Sequence, residues 1–287
     1  MAKEVSINLF DMEWDDQRSQ RLSDTLDEFV AQPLDRRWRD DIRLERCERY
    51  EDRRREVFLL DFCKRREVGP GRLGQRVPIE AIMLRGDEDF GEETAALYSP
   101  SKRWLLVLHN YAGVGPSRMS SYFNALDPGN AQRHFDYAAR PRLDAAALAR
   151  FGGMRSISKV TVTATLDALT AAHADTGTAL AQATRAVNAR RIKFELSAND
   201  AYQRGNTLSM AAAMRFIRGL QRQDVEEVSQ LQVKGEVDGR DQMIDLLEHK
   251  VRRKYPVTEL QVLHHRYTLE SRWSLLLRTF HGWHDNL

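Results

Sequence analysis

The stretch WLLVLHNYAGVGPSRMSSYFNAL, residues 104–126, contains an apolar run, a glycine-rich turn and a helical pattern in one segment. The run Trp104–Leu108 is apolar throughout, which is typical of a buried strand. Gly115 and Pro116 favour a helix start, because proline fits the first helical turn, where its missing N–H costs nothing. The apolar residues within Met119–Leu126 then share one face of that helix. The turn between strand and helix has two open interpretations: a purely structural turn, or a phosphate site at the helix N-terminus.

The composition is that of a globular protein, with 42% hydrophobic and 30% charged residues. No run of about 18 apolar residues suggests a membrane span, and the N-terminus lacks the pattern of a secretory signal, so we expect a cytoplasmic protein. Cys47 and Cys63 do not form a CxxC motif, which predicts two reduced thiols rather than a disulfide or zinc site. The net charge of +2 excludes an overall polycation. Any affinity for nucleic acid must therefore come from local clusters.

Apolar periodicity predicts strands and helices mixed along the whole chain. Two hairpins are predicted in the first half, over residues 42–64 and 95–108. Further strands and helices are predicted, the strands at 4–10, 135–139, 158–166, 191–197 and 231–233, and the helices at 22–30, 143–151, 180–187, 210–220 and 269–284. We predict an α+β fold of mixed, largely antiparallel sheets with flanking helices and a C-terminal amphipathic helix.

The run Asp127-Pro128-Gly129 is the best candidate for a domain boundary, because it combines turn-forming residues. It divides the chain into an N-terminal α+β region with two hairpins, residues 1–128, and a C-terminal α+β region, residues 129–287. The two regions could also pack as one continuous domain.

Two motifs match the sequence patterns of functional sites but lack the surrounding features that such sites need. GPGRLG, residues 69–74, matches GxGxxG, but it follows a charged run and precedes no helix, so a dinucleotide site is not expected. His281 and His284 lie three apart on the last predicted helix without a third ligand nearby, so no metal site is expected. We predict no cofactor, no metal and no catalytic residues.

The segment with Asp245, Glu248 and Lys250 is the one pattern that suggests catalysis. In many metal-dependent nucleases carboxylates hold Mg²⁺, and a lysine steadies the attacking water. Such a triplet arises easily by chance among 42 acidic residues. A metal-dependent nuclease therefore remains an alternative to a protein without enzymatic activity.

Basic clusters are more numerous than catalytic motifs, and they favour phosphate contacts that do not depend on base sequence. One cluster lies at a predicted hairpin bend, one ends its return strand, one begins a later strand and one lies near the C-terminus. The candidate nucleic-acid-binding residues are Arg53, Arg54, Arg55, Lys64, Arg65, Arg66, Arg190, Arg191, Lys193, Arg252, Arg253 and Lys254.

Residues 86–126 also resemble the central block of a family of uncharacterised bacterial and prophage proteins. The similarity lies in the pair Gly91-Glu92, the pair Leu97-Tyr98, Asn110 and the helix that starts near Gly115. A later pattern is similar too, and it resembles more distantly the A protein of the lambda-phage Rex exclusion system and the B subunit of the Kiwa antiphage system. That pattern involves Pro141, Leu143, Val160 and Val162.

This resemblance implies DNA binding, dimerisation and a role in phage exclusion or antiphage defence, and it implies no catalytic residues. We therefore expect a homodimer that binds nucleic acid, in particular duplex DNA, without sequence preference and without inserting into a membrane. A partner protein of the defence system is compatible with this interpretation. The alternatives are the metal-dependent nuclease and an adaptor or sensor that binds only protein.

Overall fold

The computed structural model describes residues 4–14, 22–52, 55–72, 78, 80–126, 137–166, 169, 189, 191–198, 207–221, 228–237, 239–246 and 250–287. The chain forms two compact units. The first unit combines residues 1–137 with residues 253–287, and the second comprises residues 138–252. This division differs from the predicted one, because the C-terminal segment packs with the N-terminal part of the chain. Residues 127–136, which include the predicted boundary Asp127-Pro128-Gly129, lie outside the described residues.

The elements alternate along the chain, as the periodicity predicts. The strands are β1 (Glu4–Glu13), β2 (Trp38–Arg39), β3 (Ile42–Asp52), β4 (Arg55–Arg66), β5 (Phe90–Ser99), β6 (Trp104–Leu108), β7 (Ala138–Pro141), β8 (Ser156–Thr165), β9 (Arg191–Ser197), β10 (Val228–Val237), β11 (Arg240–Asp245), β12 (Arg252–Pro256), β13 (Val262–Leu263) and β14 (Arg266–Tyr267). The α-helices are α1 (Leu22–Val30), α2 (Pro116–Leu126), α3 (Ala145–Gly152), α4 (Met210–Gln221) and α5 (Leu269–His284). Short 3-10 helices span Leu34–Arg37 and Val257–Glu259. The predicted α+β class, with antiparallel sheets and a C-terminal helix, is confirmed.

The sheet of the first unit runs in the order β12-β1-β6-β5-β4-β3-β2. Both predicted hairpins are present as the antiparallel pairs β3–β4 and β5–β6. Strand β6 is buried along its whole length. A strand that is covered on both faces has no solvent side, so its sequence is a continuous apolar run rather than an alternating one.

Helices α2 and α5 pack on opposite faces of this sheet, as neighbouring residues of β4 show. The Phe62 ring contacts Tyr122 and Phe123 of α2, with centroid separations of 5.5 and 5.9 Å. The side chain of Asp61 points the other way and accepts hydrogen bonds from Arg272 of α5. Because side chains alternate along a strand, this pair of residues defines the two faces.

The second unit has a sheet in the order β11-β10-β8-β9, and its pairs are antiparallel. One face is apolar: Val160 and Val162 of β8 lie opposite Val233 and Leu231 of β10. These residues form a core with apolar residues of α4, including Ile217. The other face is polar, and a hydrogen bond of 2.9 Å joins the side chains of Thr163 and Gln230 there.

Some elements differ from the predictions. Strand β11 was not predicted, although the sequence Val237-Asp238-Gly239-Arg240 carries a two-residue Asp-Gly hairpin turn. Gly239 adopts a φ of 77°, which that turn requires. The predicted helix at residues 180–187 lies outside the described residues. On α5 the buried face includes Arg272 and Leu275, whereas Leu277 is only half-buried.

Candidate functional site

In the glycine-rich turn between β6 and α2, backbone N–H groups form hydrogen bonds within the protein. The N–H of Gly113 donates to the carbonyl of Asn110 at 3.1 Å, and the N–H of Val114 donates to Oγ1 of Thr94 at 2.8 Å. The carbonyl of Gly115 accepts the first helical bond from Met119. These donors stabilise the turn, so the geometry favours the structural interpretation over a phosphate site.

Arg55 is the described member of the predicted hairpin cluster. Its guanidinium donates to Oδ1 of Asp285 at 2.8 Å, and this pairing holds the pKa of Asp285 below its usual value. Arg53 and Arg54 lie outside the described residues, and so does Arg190 of the β9 cluster.

The cluster at the end of β4 is largely neutralised by nearby carboxylates. Arg65 forms an ion pair with Asp89 at 2.8 Å, and its guanidinium also lies over the ring of Trp38. Arg66 forms an ion pair with Glu92. Lys64 is half-buried. Phosphate binding at this cluster would therefore have to displace carboxylates.

Strand β12 carries a predicted cluster whose three cations are all exposed. Arg252, Arg253 and Lys254 are all exposed, and β12 is an edge of the first sheet. Lys254 pairs with Glu4 at 3.1 Å. Arg253 has no ion-pair partner within the described part of the chain; its guanidinium lies 5.7 Å from the centroid of the Tyr255 ring.

Strand β9 carries Arg191 and Lys193, which are both exposed. It is an edge strand of the second sheet. Lys193 lies opposite Thr163 on the polar face, and it has no ion-pair partner among the residues described. The exposed cations of this cluster thus lie on the polar face of the second sheet.

The first sheet does not bring the β4 and β12 clusters together. The two strands are four positions apart in the sheet order, which corresponds to roughly 19 Å at the usual spacing of strands. The clusters therefore form separate basic patches rather than one continuous groove.

The alternative nuclease centre receives no support from the described residues. Asp245 accepts a hydrogen bond of 3.0 Å from Nε2 of Gln232. Lys250 is half-buried, and Glu248 lies outside the described residues. Where the structure is described, no group of three or more His, Cys, Asp or Glu side chains is placed to hold a metal ion.

His281 and His284, considered above as metal ligands, lie on α5. The ring of His284 packs against Trp104 and Phe280, with centroid separations of 6.5 and 5.4 Å. Burial lowers the pKa of His284. Packing against these aromatic rings therefore explains the position of His284 without a metal ion.

The first unit contains a cleft of about 770 Å³ that the sequence did not predict. It lies between the start of β5, the end of β6 and the β13–β14 hairpin. Its charged and imidazole side chains are Arg66, Asp89, Glu92, Glu93, His109, His264, His265, Arg266 and Arg272. Its apolar lining includes Ile82, Phe90, Leu260 and Tyr267.

A buried ion pair forms one wall of the cleft. Arg272 and Asp61 are 5% and 4% exposed, and the two nitrogens of the guanidinium donate to the two carboxylate oxygens at 2.6 and 3.3 Å. Burial raises the pKa of Asp61 to about 6, against the opposing effect of Arg272. Asp61 is therefore ionised at pH 7, and the pair fixes α5 to the sheet.

Glu93 connects this pair to the opening of the cleft. Its carboxylate lies 2.6 Å from the guanidinium of Arg266 and 3.4 Å from that of Arg272. Nε of Arg272 is buried and has no hydrogen-bond partner among the described residues. Two guanidinium groups thus converge on one carboxylate at the wall of the cleft.

The β13–β14 turn places two histidines at the cleft in an unusual conformation. His264 and His265 have φ values of 49° and 65°. Positive φ at both central residues is the requirement of a type I′ hairpin turn, where asparagine and glycine are preferred. Histidine is tolerated there at some cost.

The sequence did carry signals for this site. Asp61 interrupts the apolar run Val57–Phe62, and Arg272 lies within the apolar stripe of α5. Charged side chains in such positions are rarely buried unless they are paired. Nothing local, however, indicates that the two residues are partners, because they are far apart in the chain.

The fold and these sites define a two-unit α+β protein with antiparallel sheets, separate basic edge patches and an arginine-lined cleft. No α-helix in the described part of the chain has the length and apolar character needed to cross a membrane. The chain belongs to DUF6731, a family of unknown function, whose family model matches residues 22–280. That match includes most of the first unit and all of the second. No curated protein matches the chain.

Proposed function

We propose that the protein binds nucleic acid without sequence preference, through phosphate contacts, as a component of phage exclusion or antiphage defence without enzymatic activity of its own. The resemblance of residues 86–126 to prophage proteins supports the biological role. The proposal includes a homodimer, for which we expect a solution mass of twice the 33.1 kDa of the chain.

The observation that carries the proposal is the exposed basic edge of β12. The consecutive cations Arg252, Arg253 and Lys254 are exposed there, and they lie on an edge strand, which a polyanion can approach from the side. Arg278 of α5 adds a fourth cation: its guanidinium lies 5.0 Å from the centroid of the Tyr255 ring, which Arg253 also approaches.

Ion pairs with nearby carboxylates determine how much each of these cations can contribute to nucleic-acid binding. Lys254 and Arg278 form exposed ion pairs with Glu4 and Glu259. Such pairs are worth roughly 0–1 kcal/mol, so a phosphate can compete with the carboxylates. At Arg253 a phosphate displaces no carboxylate, and we therefore expect this residue to contribute most to the affinity for nucleic acid.

Charges on an edge strand also have a purely structural use, because they discourage pairing with other strands. The two roles predict different outcomes for charge reversal. A role in solubility alone predicts no effect on nucleic-acid affinity, whereas phosphate contact predicts a large one.

The test is Arg253→Glu, with Arg85→Glu as a control that changes the net charge equally. The Arg85 side chain is 85% exposed, lies in the loop before β5 and contacts Glu88 only at 3.9 Å. We expect Arg253→Glu to lower the affinity for labelled duplexes of two unrelated sequences at least tenfold and equally, and Arg85→Glu to change it little. Equal losses of duplex affinity in the two variants would show that only net charge determines binding, and would refute the β12 surface as the binding site.

A further inference from the structure

We propose that the cleft of the first unit is a binding site for a nucleoside phosphate. This site is separate from the β12 surface, and it does not depend on the function proposed above. Two kinds of ligand carry a nucleoside phosphate: a free mononucleotide, and the phosphorylated end of a nucleic-acid strand.

The size and lining of the cleft fit such a ligand. Small-molecule sites in proteins occupy about 300–1,000 Å³, and this cleft measures about 770 Å³. Phe90, Leu260 and Tyr267 supply apolar and aromatic surface for a planar base. Aromatic side chains of this kind stack on the faces of nucleobases.

The phosphate end of the ligand has a defined place in the cleft. The guanidinium groups of Arg266 and Arg272 already converge on one anion, the carboxylate of Glu93. Arg272 holds a further donor, Nε, that is buried and has no hydrogen-bond partner among the described residues. Guanidinium forks are well suited to phosphate oxygens. A phosphate at this wall would exchange with Glu93 at Arg266, whose side chain is 62% exposed.

The β13–β14 turn supports the same assignment from a different observation. Two consecutive histidines line the cleft with φ values of 49° and 65°, where asparagine or glycine would form the turn more easily. Strained backbone of this kind is concentrated at functional sites. His264 and His265 provide N–H donors for the phosphate beside Arg266.

The carboxylates of the cleft suit the base rather than the phosphate. Glu92 and Glu93 accept hydrogen bonds, and nucleobases present N–H donors along their edges. When a phosphate replaces Glu93 as the ion-pair partner of Arg266, the Glu93 carboxylate can accept a hydrogen bond from a base N–H. The nearly balanced charge of the lining therefore fits a ligand that has both an anionic group and N–H donors.

The experiment is isothermal titration of the full chain with a purine mononucleotide, the matching nucleoside, inorganic phosphate, and a short single strand with and without a 5′-phosphate. We expect the mononucleotide to bind at least tenfold more tightly than the nucleoside or inorganic phosphate. Tighter binding of the phosphorylated strand than of both the unphosphorylated strand and the mononucleotide would identify a strand end as the source. Equal binding of the two strands, with tight binding of the mononucleotide, would identify a free nucleotide. No binding of any phosphorylated nucleoside at millimolar concentration would overturn the proposal, and so would inorganic phosphate binding as tightly as the nucleotide.

Three variants locate the site. His264→Asn and His265→Asn remove an imidazole but keep a residue that tolerates positive φ, so the turn is retained. Arg266→Gln removes the exposed guanidinium, and Arg49→Gln is its control, because Arg49 is similarly exposed and paired with a glutamate, Glu56, outside the cleft. We expect each cleft variant to weaken mononucleotide binding at least fivefold, and Arg49→Gln to leave it unchanged. Wild-type affinity in all three cleft variants would refute the assignment. Loss of duplex binding in Arg253→Glu with intact mononucleotide binding would separate the two proposals.

Discussion

Replacing Arg272 by methionine should destabilise the first unit far more than the same change at an exposed arginine of the same helix. The variant keeps an apolar stem in the buried position but leaves the Asp61 carboxylate without its partner. Removing one member of a buried ion pair costs about 3–5 kcal/mol. Because burial already raises the pKa of Asp61 to about 6, the carboxyl of the variant should take up a proton near pH 7, and we expect a loss near the lower end of that range.

Arg278→Met is the matched control, since Arg278 pairs with Glu259 on the surface with its side chain 54% exposed. Exposed pairs contribute roughly 0–1 kcal/mol, so the control should remain close to wild type. The assay is urea unfolding followed by tryptophan fluorescence. It reports on the first unit alone, because all five tryptophans lie within residues 1–137 and 253–287. If both variants lose the same stability, the pair between α5 and β4 does not stabilise the unit as argued.

Two further predictions concern the protonation of Asp61 and the glycines of the β6–α2 turn. Burial raises the pKa of Asp61 from 3.8 to about 6. Protonation of Asp61 therefore stabilises the folded state; this stabilisation is complete below about pH 3.8, the pKa of the unfolded chain, and is lost as the pH rises through 6. The stability of wild type relative to Asp61→Asn should increase by about 1 kcal/mol between pH 7 and pH 5, and a decrease would contradict this. At the β6–α2 turn, a Cβ on Gly113 would lie 2.0 Å from Oγ1 of Thr94, so Gly113→Ala should cost roughly 1–3 kcal/mol in urea unfolding, and Gly115→Ala, at a glycine without positive φ, should cost less than about 1 kcal/mol.

Much of the fold could be predicted because its signals are local. The apolar run Trp104–Leu108, the turn at Ser99–Lys102 and the proline at the start of α2 each act through neighbours in the sequence. The β10–β11 hairpin also has a local signal, the pair Asp238-Gly239, but the sequence of β11 carries too few apolar residues to indicate a strand. The domain division could not be predicted locally, since it depends on the packing of the C-terminal segment against a distant sheet.

The cleft could not be predicted for the same physical reason. Its walls come from β5, β6, the β13–β14 hairpin and α5, and no sequence spacing connects these elements. Asp61 and Arg272 each place a charge within an apolar pattern, but their pairing appears only in three dimensions. The basic clusters were visible in the sequence, whereas the carboxylates that neutralise Arg65 and Arg66 come from residues 89–92, across the neighbouring strand.

The most direct test of the proposed function is the salt dependence of nucleic-acid binding by the wild-type protein. Labelled duplexes of at least two unrelated sequences are titrated with the protein at several salt concentrations, and the logarithm of the affinity is plotted against that of the salt concentration. Each phosphate neutralised should contribute about −0.9 to the slope on duplex DNA. We predict equal affinities for the sequences and a slope that indicates several phosphate contacts. Failure of micromolar protein to bind any duplex at low salt would contradict the proposal and favour an adaptor that binds only protein.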